Sequence, residues 1–184
     1  MRNFRTMFCV APLALALLAS NASSAGADDD VDVTENSYGQ TVEERIASHK
    51  VDEALTAAGN DVKASCGNAA FVVKLDWKTV DVAMSEKNLK KVDRTRVNAI
   101  ETAGSTSLEA VTALKELCDD EEIGTAYKKQ IKKFVALNLA VVYTGKLSSD
   151  AAKKFSKKGK VLNVVGEPFT STGGSTKGSW KKIL

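Results

Sequence analysis

The chain has little of what most catalytic chemistry uses. Its 184 residues include one histidine, three cysteines and two prolines, and aromatics make up only 6%. A Ser-His-Asp or Cys-His nucleophile would have to use His49, which sits in the charged stretch Ser48-His49-Lys50, and no Gly-x-Ser-x-Gly accompanies it. There is no Cys-x-x-Cys pair for thiol redox chemistry. A zinc site would need more His and Cys ligands than the chain offers. Asp119 to Glu122 is four acids in a row, without the glycine and alternation of a calcium loop, so it reads as a solvated helix start. No metal and no cofactor is expected. Residues 173–179 (GGSTKGS) have the wrong order for a phosphate loop, and Ser179 to Lys182 matches Ser-x-x-Lys without its partner motifs.

A long hydrophobic run is also missing. The longest apolar segment, Val10 to Ala19, is about half of the roughly 20 residues a membrane span needs, and Pro12 interrupts it. With Arg2 and Arg5 before it and Ala25-Gly26-Ala27 after it, the segment reads as a cleaved secretory signal over residues 1–27. Cys9 precedes the apolar core, so lipid anchoring there is not expected. The expectation is an exported protein, periplasmic or extracellular, with no transmembrane segment after cleavage. The remainder suits one domain.

What is present is a charge gradient. Residues 28–66 carry ten acids and three bases; residues 67–126 carry eleven acids and eight bases. Residues 127–184 carry two acids and thirteen lysines, net +11, with no arginine among them. In the plain reading, two oppositely charged ends attract or occupy separate solvated faces. In the sharper one, a cationic surface serves an anionic partner. The candidate surface is the lysine doublets Lys128-Lys129, Lys132-Lys133, Lys153-Lys154 and Lys157-Lys158. The lack of arginine, the better bidentate phosphate ligand, and export itself argue against nucleic acid.

Once Cys9 leaves with the signal, Cys66 and Cys118 remain, and in an oxidising compartment the simplest reading is one disulfide. Two buried free thiols are the alternative.

Residues 28–40 are acidic and without apolar period, a disordered leader; residues 41–168 read as a single α+β domain, and 169–184 as a flexible Gly/Ser/Thr-rich tail whose Trp180, Ile183 and Leu184 could dock. A helix begins at Thr41 with a Thr41–Glu44 capping box, and Gly59-Asn60 is a place for it to end or kink. Residues 69–77 alternate as a half-buried strand, with Phe71, Val73, Leu75 and Trp77 on one face. A helix from Ser85 is expected to end near Gly104, and another to start at a Thr106–Glu109 capping box. Residues 134–143 and 161–165 read as strands, and residues 149–158 as a short basic helix or loop. These elements predict three or four helices on a small, mostly antiparallel sheet of about three strands.

Asp76-Trp77, at a strand end, is a candidate ligand contact, because an aromatic beside a carboxylate can hold sugars or cations; the ordinary reading is a core tryptophan. Asp76, Asp81, Glu101, Glu109 and Glu116 are the carboxylates within the folded part that a glycoside-hydrolase pair would draw on. Together, Cys66-Gly67, Leu75-Asp76-Trp77, Leu117-Cys118 and Tyr127-Lys128-Lys129 resemble an arrangement in small uncharacterised exported bacterial proteins, over residues 60–145. That resemblance implies a disulfide-stapled domain and carries no functional residues. The expectation for function is a non-catalytic exported protein that binds an anionic envelope component or another secreted protein. A small secreted hydrolase using carboxylates, or an inhibitor or immunity-type protein, is the alternative.

Overall fold

The structure, a computed structural model, describes residues 41–143, 154–166 and 176–184. The expected signal, the leader 28–40 and Lys153 lie outside the described residues. Helix α1 (Val42–Cys66) starts at the capping box the sequence offers: the Glu44 N–H donates to Thr41 Oγ1 and the Thr41 N–H to the Glu44 carboxylate. It ends at Gly67, whose φ of 64° is the left-handed conformation that closes helices and that glycine adopts freely. Gly59 does not interrupt it. A Cβ there would stand 3.1 Å from Val73 Cγ2, so the glycine lets the helix lie close on the sheet.

Strand β1 (Val72–Leu75) follows, then the short helices α2 (Trp77–Ala83) and α3 (Glu86–Val92), and the long helix α4 (Arg96–Asp119). The expected break near Gly104 is wrong. The chain breaks earlier, at Asp93 (φ 49°), and α4, capped by Thr95, runs unbroken through Gly104 and Thr106. Gly104 is a packing residue: a Cβ on it would fall 2.4 Å from Val51 Cγ2 of α1.

Helices α1 and α4 run parallel, as three contacts show. Near their starts the Arg96 guanidinium pairs with the buried Glu44 carboxylate at 3.2 Å. Further along Gly104 meets Val51, and at their ends Cys66 and Cys118 are bonded, S–S 2.08 Å with Cα atoms 5.2 Å apart. From the first contact to the last, each helix advances by the same number of residues. Both cysteines are fully buried. Closing a loop of sequence separation 52 removes unfolded-chain entropy equivalent to about 4 kcal/mol.

After α5 (Gly124–Ile131) come β2 (Ala136–Val141), β3 (Lys154–Lys158), β4 (Val161–Gly166) and α6 (Thr176–Ile183). The four-stranded sheet has the order β1-β2-β4-β3; β1, β2 and β4 are parallel, and only edge strand β3 is antiparallel. The α+β class holds, but the described residues form six helices and a mixed sheet, not three or four helices on an antiparallel one. Residues 154–158 are a strand rather than a basic helix or loop. The expected tail also divides: residues 169–175 lie outside the described residues, whereas 176–183 are helical. Trp180 anchors that helix. It is fully buried, donates to the Ala110 carbonyl at 2.8 Å, and meets the Phe155 ring edge-on.

The core takes its sheet residues from one face: Val73, Leu75, Leu137, Leu139, Val141, Phe155, Leu162 and Val164, packed on α1, α4 and α6. Helix propensity alone favours Gly104→Ala by about 1 kcal/mol. Because of Val51, we expect instead a net loss of about 1–2 kcal/mol in urea unfolding. The loss should be relieved in a Val51→Ala background; a stabilised Gly104→Ala protein would contradict the packing described.

Candidate functional site

The parallel register puts the starts of β1, β2 and β4 at one end of the sheet. Three backbone features fix what gathers there. The Val72 N–H donates to the Val135 carbonyl at 3.0 Å, the Val135 N–H donates to the Lys160 carbonyl at 2.8 Å, and Lys158 pairs with Val161 across the β3–β4 hairpin. Lys132 and Lys133, just before β2, thereby share this end with Lys158 and Lys160 of the hairpin. All four are exposed. Among the described residues none has an ion pair; Lys133 donates only to the neutral Gln130 amide, at 2.8 Å. Lys160 was not in the predicted set. Its signal, Gly159-Lys160 between two alternating runs, becomes visible only once residues 154–158 are recognised as a strand.

The other predicted lysines separate from this group. Lys128 and Lys129 are exposed on α5, but Lys128 lies in the field of Asp119 and helps to lower that carboxyl's pKa. The Lys157 ammonium donates to the Ile183 carbonyl at 2.6 Å and so caps the end of α6. Lys154 is exposed at the far end of β3. Of the acids just before α5, Asp119 and Asp120 are engaged. The pKa of Asp119 is lowered, chiefly because Lys115 donates to it, with Ser65 adding to the effect. Asp120 is lowered chiefly by the Ile123 N–H, with Lys177 and the Glu122 N–H adding to it.

The structure separates Asp76 from Trp77. The Asp76 carboxylate caps α2, accepting from the Lys78 and Thr79 N–H groups. The Trp77 indole turns to α1 and donates to both carboxylate oxygens of Asp52, at 2.9 and 3.1 Å. The two side chains therefore take different partners. The aromatic–carboxylate neighbour is Asp52, half-buried, and burial raises its pKa; the Trp77 hydrogen bond and nearby His49 pull the other way.

The remaining carboxylates have structural partners or face solvent. Asp81 takes the Arg96 Nη2 at 2.6 Å, tying α2 to the Glu44–Arg96 pair, and Glu101 is exposed. Glu109 accepts a short hydrogen bond from Thr176 and, with Glu116, lines an open depression of about 540 Å³ between α4 and the start of α6. A second depression, about 310 Å³ and mainly apolar, lies between α2 and the end of β2. Among the described residues no group of three His, Cys, Asp or Glu side chains is placed to hold a metal ion, and no helix is long and apolar enough to cross a membrane.

Asp52 allows a signed prediction. A raised folded pKa means its contribution to stability is complete below the unfolded value of about 3.9 and is lost as pH rises through the folded value. Asp52→Asn keeps an acceptor for Trp77 and cannot titrate. In pH-stepped urea unfolding, the stability of the native chain minus that of the variant should fall with rising pH across that window. A difference that rises would contradict the burial effect.

No family model matches this chain, and neither a curated protein nor a solved structure matches it.

Proposed function

We propose that this is an exported, non-catalytic binding protein that engages an anionic partner through the lysine-bearing end of its sheet. The export part rests on the N-terminal pattern of residues 1–27. The observation that carries the binding part is that Lys132, Lys133, Lys158 and Lys160 lie at one end of the sheet, exposed and without ion pairs among the described residues. Four like charges at one end of a sheet have no evident benefit to stability, whereas a polyanion can neutralise them together.

A carboxylate hydrolase is the second reading, favoured by Glu109 and Glu116 lining one depression. It ranks lower because Glu109 is bonded to Thr176. Positions seven apart on one helix also stand roughly 10 Å apart along its axis, at the outer limit for paired carboxylates.

The test is retention of the mature protein on phosphatidylglycerol vesicles and on immobilised polygalacturonate. We expect retention on at least one of them at low salt, lost between about 0.01 and 0.15 M salt as the screening length falls from about 30 to 8 Å. It should also be lost at low salt in the variant Lys132→Glu/Lys133→Glu/Lys158→Glu/Lys160→Glu. No retention on either, or retention indifferent to those four substitutions, would overturn the proposal.

A further inference from the structure

Parallel strands are usually covered on both faces, and their residues then read as continuous apolar runs. Here, among the described residues, three parallel strands give only one face to the core. The opposite face presents Val72 and Lys74 of β1, Ala136, Asn138 and Ala140 of β2, Val161, Asn163 and Val165 of β4, and Lys154, Ser156 and Lys158 of β3. None of these residues belongs to the core; Val72, Lys74, Asn138, Lys154, Ser156 and Lys158 are exposed, and the others, Asn163 among them, are half-buried.

The middle of this face is a polar row. Lys74 is the register partner of Asn138, Asn138 of Asn163, and Asn163 of Ser156, so the four side chains cross the sheet in one line. Among the described residues none of the four has a side-chain hydrogen bond. Asparagine is depleted in strands, and two of them at the centre of two central strands do nothing for sheet stability. A local choice that the fold does not need points to a ligand.

We infer that this open face is the binding surface for a linear, carboxylate-bearing polysaccharide, with the Lys74–Asn138–Asn163–Ser156 row as its hydrogen-bonding track. The inference rests on the anion-binding reading above and names the partner and the surface.

Three features select this occupant. The first is charge: the outward strand positions carry three lysines and no carboxylate. Asp76, just past β1, is occupied as the α2 cap, and Glu167, just past β4, lies outside the described residues. Among the described residues, a second copy of this face would set lysine against lysine. The second is size. Three strand spacings by six residues give roughly 14 by 20 Å, or about 300 Å², well below the roughly 800 Å² per partner of a stable protein interface but enough for one extended chain. The third is chemistry. Amides and a hydroxyl can both donate to and accept from sugar hydroxyls, while lysines meet carboxylates. With no aromatic side chain among these strand positions, the described residues offer no sugar stacking.

The test uses polygalacturonate and phosphatidylglycerol vesicles in parallel, with the variant Asn138→Val/Asn163→Val. Valine suits these strand positions, so stability should be kept or raised. Affinity for polygalacturonate should fall at least tenfold, and any vesicle binding should be unchanged; Lys74→Ala should weaken polygalacturonate binding in the same sense. Undiminished polygalacturonate binding in the double variant, or wild-type protein that binds vesicles alone, overturns the inference and leaves the anion-binding reading standing. Wild-type protein that binds neither overturns both.

Discussion

The rest of the structure depends on the parallel pairing of α1 and α4. Glu44 with Arg96, Val51 with Gly104, and Cys66 with Cys118 hold the two helices in one register along most of their length. The contacts differ in kind: a largely buried ion pair, a close approach that only glycine permits, and a covalent bond. Breaking the first would strand a buried carboxylate, which costs far more than a surface pair contributes. The two helices form the platform on which the inner face of the sheet is laid, with Gly59 against Val73 and Thr106 against Gly166 setting the distance. Helix α6 then closes the side through Trp180.

That platform covers one face of the sheet, and this explains why the strands were legible in the sequence while their direction was not. Residues 69–77, 134–143 and 161–165 alternate because one side is buried and the other is not. Alternation is the usual mark of an antiparallel sheet, since parallel sheets are normally buried twice. It reports burial, however, and one-sided burial of parallel strands gives the same pattern. The mistaken helix boundary has a similar origin. Gly104 and Thr106-x-x-Glu109 look locally like a stop and a start, but tertiary packing against Val51 makes the glycine a requirement of the interior. Strand β3 was hidden because Lys154, Ser156, Lys157 and Lys158 leave Phe155 as its one apolar residue.

The chemistry was legible in part. The cysteine pairing followed from counting and from the expectation of export. The lysine doublets marked the basic region, but sequence proximity could not say which charges remain unopposed. Lys157 is used at a helix end, Lys128 shares space with Asp119, and Lys160 joins the group only through the hairpin. Asp76 and Trp77, neighbours at a strand end, take different partners that the sequence did not indicate: one residue caps the next helix and the other reaches back to Asp52. The row from Lys74 to Ser156 gave no sequence signal, since its members come from four strands and meet only through the register.

The one-sided burial of the sheet is tested most directly by methyl NMR with a soluble nitroxide in the solvent. The Ala136, Ala140, Val161 and Val165 methyls should broaden strongly, while those of Leu137, Leu139, Leu162 and Val164, their neighbours along the same strands, should stay sharp. Equal protection of both sets would mean that the outer face is covered, contradicting the two-layer architecture and the open surface derived from it.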